Sequence, residues 1–326
     1  MRVIDVVVSG DVRDFKIVEA PDPVVLPGQL LIKVSASGVN RADLLQFAGK
    51  YPPPPGESTV LGLEVAGVVE AVGDAVSPFV VGERVCALLA GGGYAEKVLV
   101  PYGQVMRLPD RYSMVEGAAI PEAFVTAYTN LFVEGGLMPG ERVLIHGGSS
   151  GVGTAAIQLA KSAGASVACT VGSDSKRSAC QGLGAELLVN YRTEDFSHKV
   201  RDWCKDGVDV ILDIVGKEYS ERNVEILARR GRLVCIATMS GADCGINMRV
   251  LMQKCARVIG SVLRSRSREE KGELVSAFLA RFGPALESGS VKPIVDSVFS
   301  FDRVAEAHAR MRSSEHVGKI ILSLEE

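Results

Sequence analysis

His146-Gly147-Gly148-Ser149-Ser150-Gly151-Val152-Gly153-Thr154-Ala155-Ala156 is the stretch on which the reading of this chain turns. An apolar run, Arg142-Val143-Leu144-Ile145, precedes it and predicts a buried strand; an amphipathic run over 154–163 follows and predicts a helix. Between them, Gly151-x-Gly153-x-x-Ala156 matches the dinucleotide-binding fingerprint. One glycine permits the tight strand-to-helix turn, and the next lets backbone N–H groups approach a pyrophosphate. The small Ala156 lets the helix pack closely on its sheet. The helix N-terminus adds partial positive charge for the phosphates. A second strand over 166–171 completes the context that a lone glycine motif lacks.

From about residue 122 strands and helices alternate. A helix is expected over 121–134, with strands at 142–146, 166–171, 187–190, 208–213, 231–237 and 257–261. Repeated βα units predict a doubly wound parallel sheet, an α/β Rossmann domain. The first third differs. Short β-like runs at 3–9, 29–37, 64–72, 83–89 and 94–100, broken by glycine and proline, predict a mostly β domain. Tyr51-Pro52-Pro53-Pro54-Pro55-Gly56 must be a stiff loop, because proline cannot continue a helix or central strand. A helix around 271–283 and a closing strand at 318–322 come late enough to rejoin the first domain.

At 326 residues there is length for two domains, and 47% hydrophobic with 23% charged residues describes an ordinary packed core. A net charge of −3 gives no general attraction to nucleic acid or anionic membrane, and no apolar run nears the roughly 20 residues of a membrane span. The start shows no signal-peptide pattern. Seven cysteines without a CxxC pair fit reduced, packed thiols in a cytoplasmic protein. His146 reads as structural and His198, His308 and His316 as exposed, and no Ser/His/Asp set supports hydrolase chemistry. The second strand ends Thr170-Val171-Gly172-Ser173-Asp174-Ser175-Lys176-Arg177, with a small hydroxyl residue and following cations rather than an immediate acid. That favours the 2′-phosphate of NADP, while Asp174 keeps a ribose contact open and Lys176 with Arg177 could simply cover a solvated helix start.

Further matches, spaced in order along almost the whole chain, carry a family resemblance. They lie at 38–43, 51–56, 61–69, 81–85, 147–158, 190–192, 213–216, 263–266 and 316–322. Together they resemble the zinc-independent quinone oxidoreductases of the medium-chain dehydrogenase/reductase superfamily, nearest its p53-inducible branch. The resemblance implies a GroES-like catalytic domain from 1–122 and 265–326, a Rossmann NADP-binding domain at 123–264, and an active site in the cleft between them. Asn40 and Leu63 stand where zinc-dependent relatives carry a cysteine and a histidine, leaving Asp43 and Glu64 without a soft ligand, so no metal is expected. Hydride, or single electrons, would pass from NADPH to a quinone. Asn40 and Tyr51 are the implied catalytic residues. Asn40 would donate to a quinone carbonyl or hold the nicotinamide carboxamide. Tyr51 would orient the acceptor, relay a proton, or merely anchor its proline loop. Implied cofactor contacts are Asn40, Thr126, Gly148, Gly151, Val152, Gly153, Ser173, Lys176, Tyr191, Asn247, Arg264 and Lys319. Thr126 could instead bond back to a helix carbonyl. An NADPH-dependent enone or enoyl reductase, and a non-catalytic NADPH-binding protein of crystallin or RNA-binding type, are the alternatives. The family implies a homodimer, and the run 257–263 is either its edge strand or an interior one.

Overall fold

The computed structural model describes residues 1–10, 12–74 and 79–325. Two compact units emerge, Met1–Val125 with Leu263–Glu326, and Thr126–Val262. The boundaries expected at 122/123 and 264/265 therefore move to 125/126 and 262/263. The helix Pro121–Tyr128 carries the chain from one unit to the next, and its buried Ala123, Phe124 and Val125 belong to the first.

Among the described residues, the second unit has six parallel strands, ordered Leu187–Asn190, Ser166–Val171, Arg142–Ile145, Val208–Asp213, Leu227–Cys235 and Arg257–Gly260. The inner strands read as near-continuous apolar runs because helices cover both faces of such a sheet. Leu144, Ala168, Val189, Ile211 and Leu233 meet Phe196, Val200 and Val224 in its core. Arg257–Gly260 lies at the sheet edge, with Val258 exposed. The strand expected at 231–237 begins earlier, at Leu227, and Arg230 within it takes φ 64°.

The first unit holds a seven-stranded sheet among the described residues. Its path runs Val295–Ser300, Lys319–Ser323, Gln29–Val39, Glu64–Val72, Arg84–Leu88 and Val105–Arg107, with Lys97–Pro101 also pairing Gln29–Val39. The closing strand does rejoin this unit: Ile320 pairs with Val39 and Ile321 with Gly38, antiparallel. That register sets Lys319 beside Asn40. A hairpin, Arg2–Ser9 with Val12–Glu19, contains a strand that the sequence reading passes over. Its alternating charges and exposed residues carry no apolar run to signal it.

Four cysteines are buried as expected, but Cys244 and Cys255 are exposed and Cys235 half-buried. His308 and His316, read as exposed, are 1% and 8% exposed; each follows its neighbours into packing that its own polarity does not announce. Among the described residues no helix is long and apolar enough to cross a membrane.

Candidate active site

In the second unit the strand Arg142–Ile145 delivers the chain into the glycine turn. Gly147 takes φ +71°, a left-handed conformation costly for other residues. Ser150 caps the helix Gly151–Ser162, its Oγ accepting from the Gly153 amide at 3.0 Å. A Cβ on Gly153 would lie 2.3 Å from the Gly147 carbonyl oxygen, and one on Gly148 2.5 Å from Cys169 Sγ. The turn is thus a cradle with no room for side chains, beside Gly151 and Val152 at the N-terminus of a 12-residue helix. This is the shape and polarity that a dinucleotide pyrophosphate requires. His146 anchors the turn from below, bonding Asn223 Oδ1 at 2.8 Å and Thr170 Oγ1 at 3.2 Å.

Thr126 does not bond back to a helix carbonyl. Its buried Oγ1 has no partner among the described residues, which is unusual for a buried hydroxyl and fits a ligand contact. At the far end of the second strand, Ser173 Oγ lies 2.9 Å from Ser175 Oγ. Arg177 is committed to Asp174 and Glu194. Asp174 also accepts from Asn190 Nδ2 at 3.2 Å, so both are engaged with neighbouring side chains. Lys176 is half-buried, and Tyr191 is exposed with its hydroxyl against Gly172, where a Cβ would be 2.7 Å away. Asn247 Oδ1 caps the helix Met248–Lys254 by accepting from Arg249 and Val250, which leaves the side-chain NH2 as the group for any cofactor contact.

The first unit assembles a buried polar group around Glu64. This residue opens an apolar strand and is fully buried, and Gly38 makes room for it: a Cβ there would sit 2.3 Å from Glu64 Oε1. Lys319, 4% exposed, places its ammonium 2.6 Å from Glu64 Oε1, 2.5 Å from Asn40 Oδ1 and 2.9 Å from the Val39 carbonyl. Lys319 is therefore no phosphate ligand; its three donors are taken inside the unit. Asn40 Nδ2 donates to Glu64 Oε1 at 2.9 Å and to the Gly38 carbonyl at 3.3 Å. Both amide hydrogens are engaged, so what Asn40 offers a ligand is the second lone pair of Oδ1. It is an acceptor here, not the donor to a quinone carbonyl that the resemblance implies. Glu64 Oε2 accepts from the Glu122 amide at 2.9 Å.

Asp43 is fully buried, its carboxyl accepting from the Asn40 amide at 2.7 Å and the Gly62 amide at 3.0 Å. Burial outweighs these bonds and pushes it up to about 6. Tyr94 Oη lies 3.4 Å from Asp43 Oδ2 and 3.1 Å from His308 Nε2, a chain of polar atoms running through the core.

Arg264 is also reassigned. Its guanidinium donates to the Ala90 carbonyl at 2.8 Å, the Tyr51 carbonyl at 3.2 Å and Gln46 Oε1 at 2.5 Å, and sits 5.1 Å over the Tyr51 ring. It grips the proline loop rather than a cofactor. Arg268 reinforces the grip at 3.1 Å from Glu57. Tyr51 is half-buried, with a phenol raised above its ordinary range by burial. The Glu64–Lys319 pair, the Arg264 grip and Glu122 are the features that motif reading did not single out for these roles. The available signal was a charged residue within an apolar strand, which demands a partner.

Known proteins share this architecture and much of this sequence. Residues 26–110 match the alcohol dehydrogenase GroES-like domain and residues 151–280 the zinc-binding dehydrogenase model. Human quinone oxidoreductase is 33% identical over 305 residues, covering 93% of this chain and 91% of the relative. The human synaptic vesicle membrane protein VAT-1 homolog is 32% identical over 319 residues, covering 93% and 81%. The Thermus thermophilus quinone oxidoreductase, solved also with NADPH, superposes with a TM-score of 0.84 at 31% identity over 99% of this chain and 100% of that one. CurK enoyl reductase superposes with a TM-score of 0.83 at 27% identity, covering 99% and 98%. The chain belongs to the quinone oxidoreductase family of the medium-chain dehydrogenase/reductase superfamily, as an NAD(P)-dependent reductase with a GroES-like and a Rossmann domain.

Proposed function

We propose that this protein is an NADPH:quinone oxidoreductase that works without a metal. The observation that carries this reading is the ammonium of Lys319 seated on Glu64 and Asn40. Asn40 and Leu63 offer zinc no thiolate or imidazole, and the Glu64 oxygen that Asn40 contacts already has an internal cation. Without a Lewis acid, an alcohol is a poor substrate and an already electrophilic quinone a good one.

The glycine cradle and the orphaned Thr126 hydroxyl fit NADPH, which when bound supplies a hydride from its nicotinamide. Gly151 and Val152 hold the pyrophosphate by backbone N–H groups, and Gly148 and Gly153, whose amides are spent on the Thr170 carbonyl and Ser150 Oγ, line the cradle without side chains. Ser173, Lys176 and Tyr191 receive the 2′-phosphate and adenine. Asn40 accepts from the nicotinamide carboxamide through Oδ1. Tyr51, held by Arg264, stacks on the planar acceptor. The exposed edge strand Arg257–Gly260 suits pairing with a second copy, giving a homodimer; light scattering showing only monomer at micromolar concentration would refute it.

NADPH oxidation at 340 nm tests the function with a small benzoquinone, phenanthrenequinone and a simple enone, repeated with NADH and after chelation. Chelator-insensitive quinone turnover favouring NADPH supports it. Turnover with the enone alone makes the protein an enoyl reductase, a reading favoured by the CurK likeness. Tight NADPH binding without any turnover makes it a binding protein.

A further inference from the structure

We propose that Glu122 is the catalytic acid, delivering to the acceptor oxygen the proton that completes reduction. This rests on the quinone reductase reading above. Hydride transfer alone leaves a quinone oxygen as a phenolate. The proton leaves the Glu122 carboxyl and joins that oxygen, forming the hydroquinone; the carboxylate then regains a proton from solvent. The electron pair comes with the hydride, so no other reductant enters.

Four observations place the residue. Glu122 is the second residue of the helix Pro121–Tyr128, and its amide is fixed on Glu64 Oε2 at 2.9 Å. Its side chain is only partly buried, and its carboxyl oxygens take no hydrogen bond from any described residue. It therefore has both a route to solvent and a free valence for an acceptor. It acts electrostatically on Tyr51 and Arg264, the ring and guanidinium of the proline-loop grip. The groups facing it are Glu64 and Asp43, which repel its negative form, and Lys319 and Lys271, which favour it.

A helix N-terminus would ordinarily lower a first-turn acid. Here burial, followed by the Glu64 charge, pushes Glu122 up to about 8. A carboxyl so placed is mostly protonated at neutral pH and is a stronger acid than a phenol near ~10, so transfer to the phenolate runs downhill. Tyr51, raised above the ordinary phenol, is the poorer donor. Lys271 is 2% exposed, makes no ion pair among the described residues, and is pulled below its usual range by burial; it lends charge to the site without neutralising Glu122.

The test compares wild type, Glu122→Gln and Glu122→Asp over pH 6–10 with a benzoquinone. NADPH affinity, read by nicotinamide fluorescence, is the control for folding. Glu122→Gln is isosteric and neutral, like the protonated carboxyl it replaces, so its fold is not at risk. The expected result is unchanged NADPH affinity, a kcat lower by roughly 10²–10³-fold, and loss of the alkaline limb expected near pH 8 in wild type. Glu122→Asp should retain a limb at reduced kcat. Wild-type turnover with Glu122→Gln matching it in kcat and pH profile overturns this inference alone. A wild type that binds NADPH but reduces no quinone overturns the functional reading, and this inference with it.

Discussion

Replacing Lys319 with methionine isolates what the internal ammonium does. The side chain is 4% exposed and its partner Glu64 fully buried, so Lys319→Met leaves a carboxylate in the interior with only the Asn40 amide and the Glu122 N–H as donors. The Asn40 and Val39 oxygens lose their donor as well. Breaking one side of a buried pair costs about 3–5 kcal/mol, mostly from the stranded charge. For a domain of this size each kcal/mol moves the midpoint by roughly 2–4 °C, so the Tm should fall by roughly 6–20 °C. The diagnostic variant is the double one, Lys319→Met with Glu64→Gln. It removes both charges while keeping an oxygen for one of the two donors, Asn40 Nδ2 or the Glu122 amide. It should recover to within about 2 kcal/mol of wild type, since neutral replacement of a buried pair is often tolerated. Thermal unfolding followed by circular dichroism reads all three chains. A double variant no more stable than Lys319→Met would refute the claim that the stranded carboxylate carries the cost. A single variant as stable as wild type would refute the buried pair itself.

Two other outcomes follow from the same structure. Burial holds His308 down to about 4 from 6.5, so it stabilises the fold fully above pH 6.5 and loses that contribution as pH falls through 4. The difference is about 3 kcal/mol, and His308→Gln should flatten the acid side of a stability-against-pH curve by that amount; Asp43, raised to about 6, shifts the other way in both chains and cancels in the comparison. Gly153→Ala puts a Cβ 2.3 Å from the Gly147 carbonyl, a backbone atom that cannot step aside. Overpacking of about 1–3 kcal/mol should weaken NADPH binding roughly 10–100-fold by fluorescence titration, and unchanged affinity would argue against the cradle.

Local pattern served the second unit well because each element there is specified by its own residues. The strands Ser166–Val171, Leu187–Asn190 and Val208–Asp213 fall where their apolar runs place them, and the glycine turn follows from steric need. The first unit's site was less legible because its meaning lies in pairings distant in sequence. Lys319 reads as a cofactor cation until the antiparallel register with Gln29–Val39 brings it to Asn40. Arg264 resembles a cofactor cation until the proline loop is seen beneath it. His308 looks polar and exposed, yet Phe15 and Phe47 pack around its ring at 4.8 and 6.1 Å. Asn247 follows a loop that pattern reading leaves without structure, and becomes a cap only because a short helix begins after it. For Lys319, Arg264 and His308 a polar side chain keeps its type but changes its role with a partner that no local window contains.

The Glu64–Lys319 pair and the acid at Glu122 are linked, and that linkage has a sign. Glu64 raises Glu122 by like-charge repulsion, and Lys319 lowers it by attraction. Glu64→Gln alone removes the repulsion and leaves the ammonium, so the alkaline limb of quinone reduction should move to lower pH. Lys319→Met alone should move it to higher pH, because the carboxylate then acts unopposed. In the double variant both influences are gone, and the limb should return toward the wild-type position, set by burial with the smaller influences of Asp43 and Lys271. Shifts of roughly one pH unit in each single variant are expected for charges at this depth. Measuring kcat against pH in the four chains therefore separates electrostatic coupling from mere damage: damage lowers kcat at every pH, whereas coupling moves the limb in opposite directions. A limb that stays fixed in Glu64→Gln would detach Glu122 from the buried pair and leave burial as the main cause of its raised range.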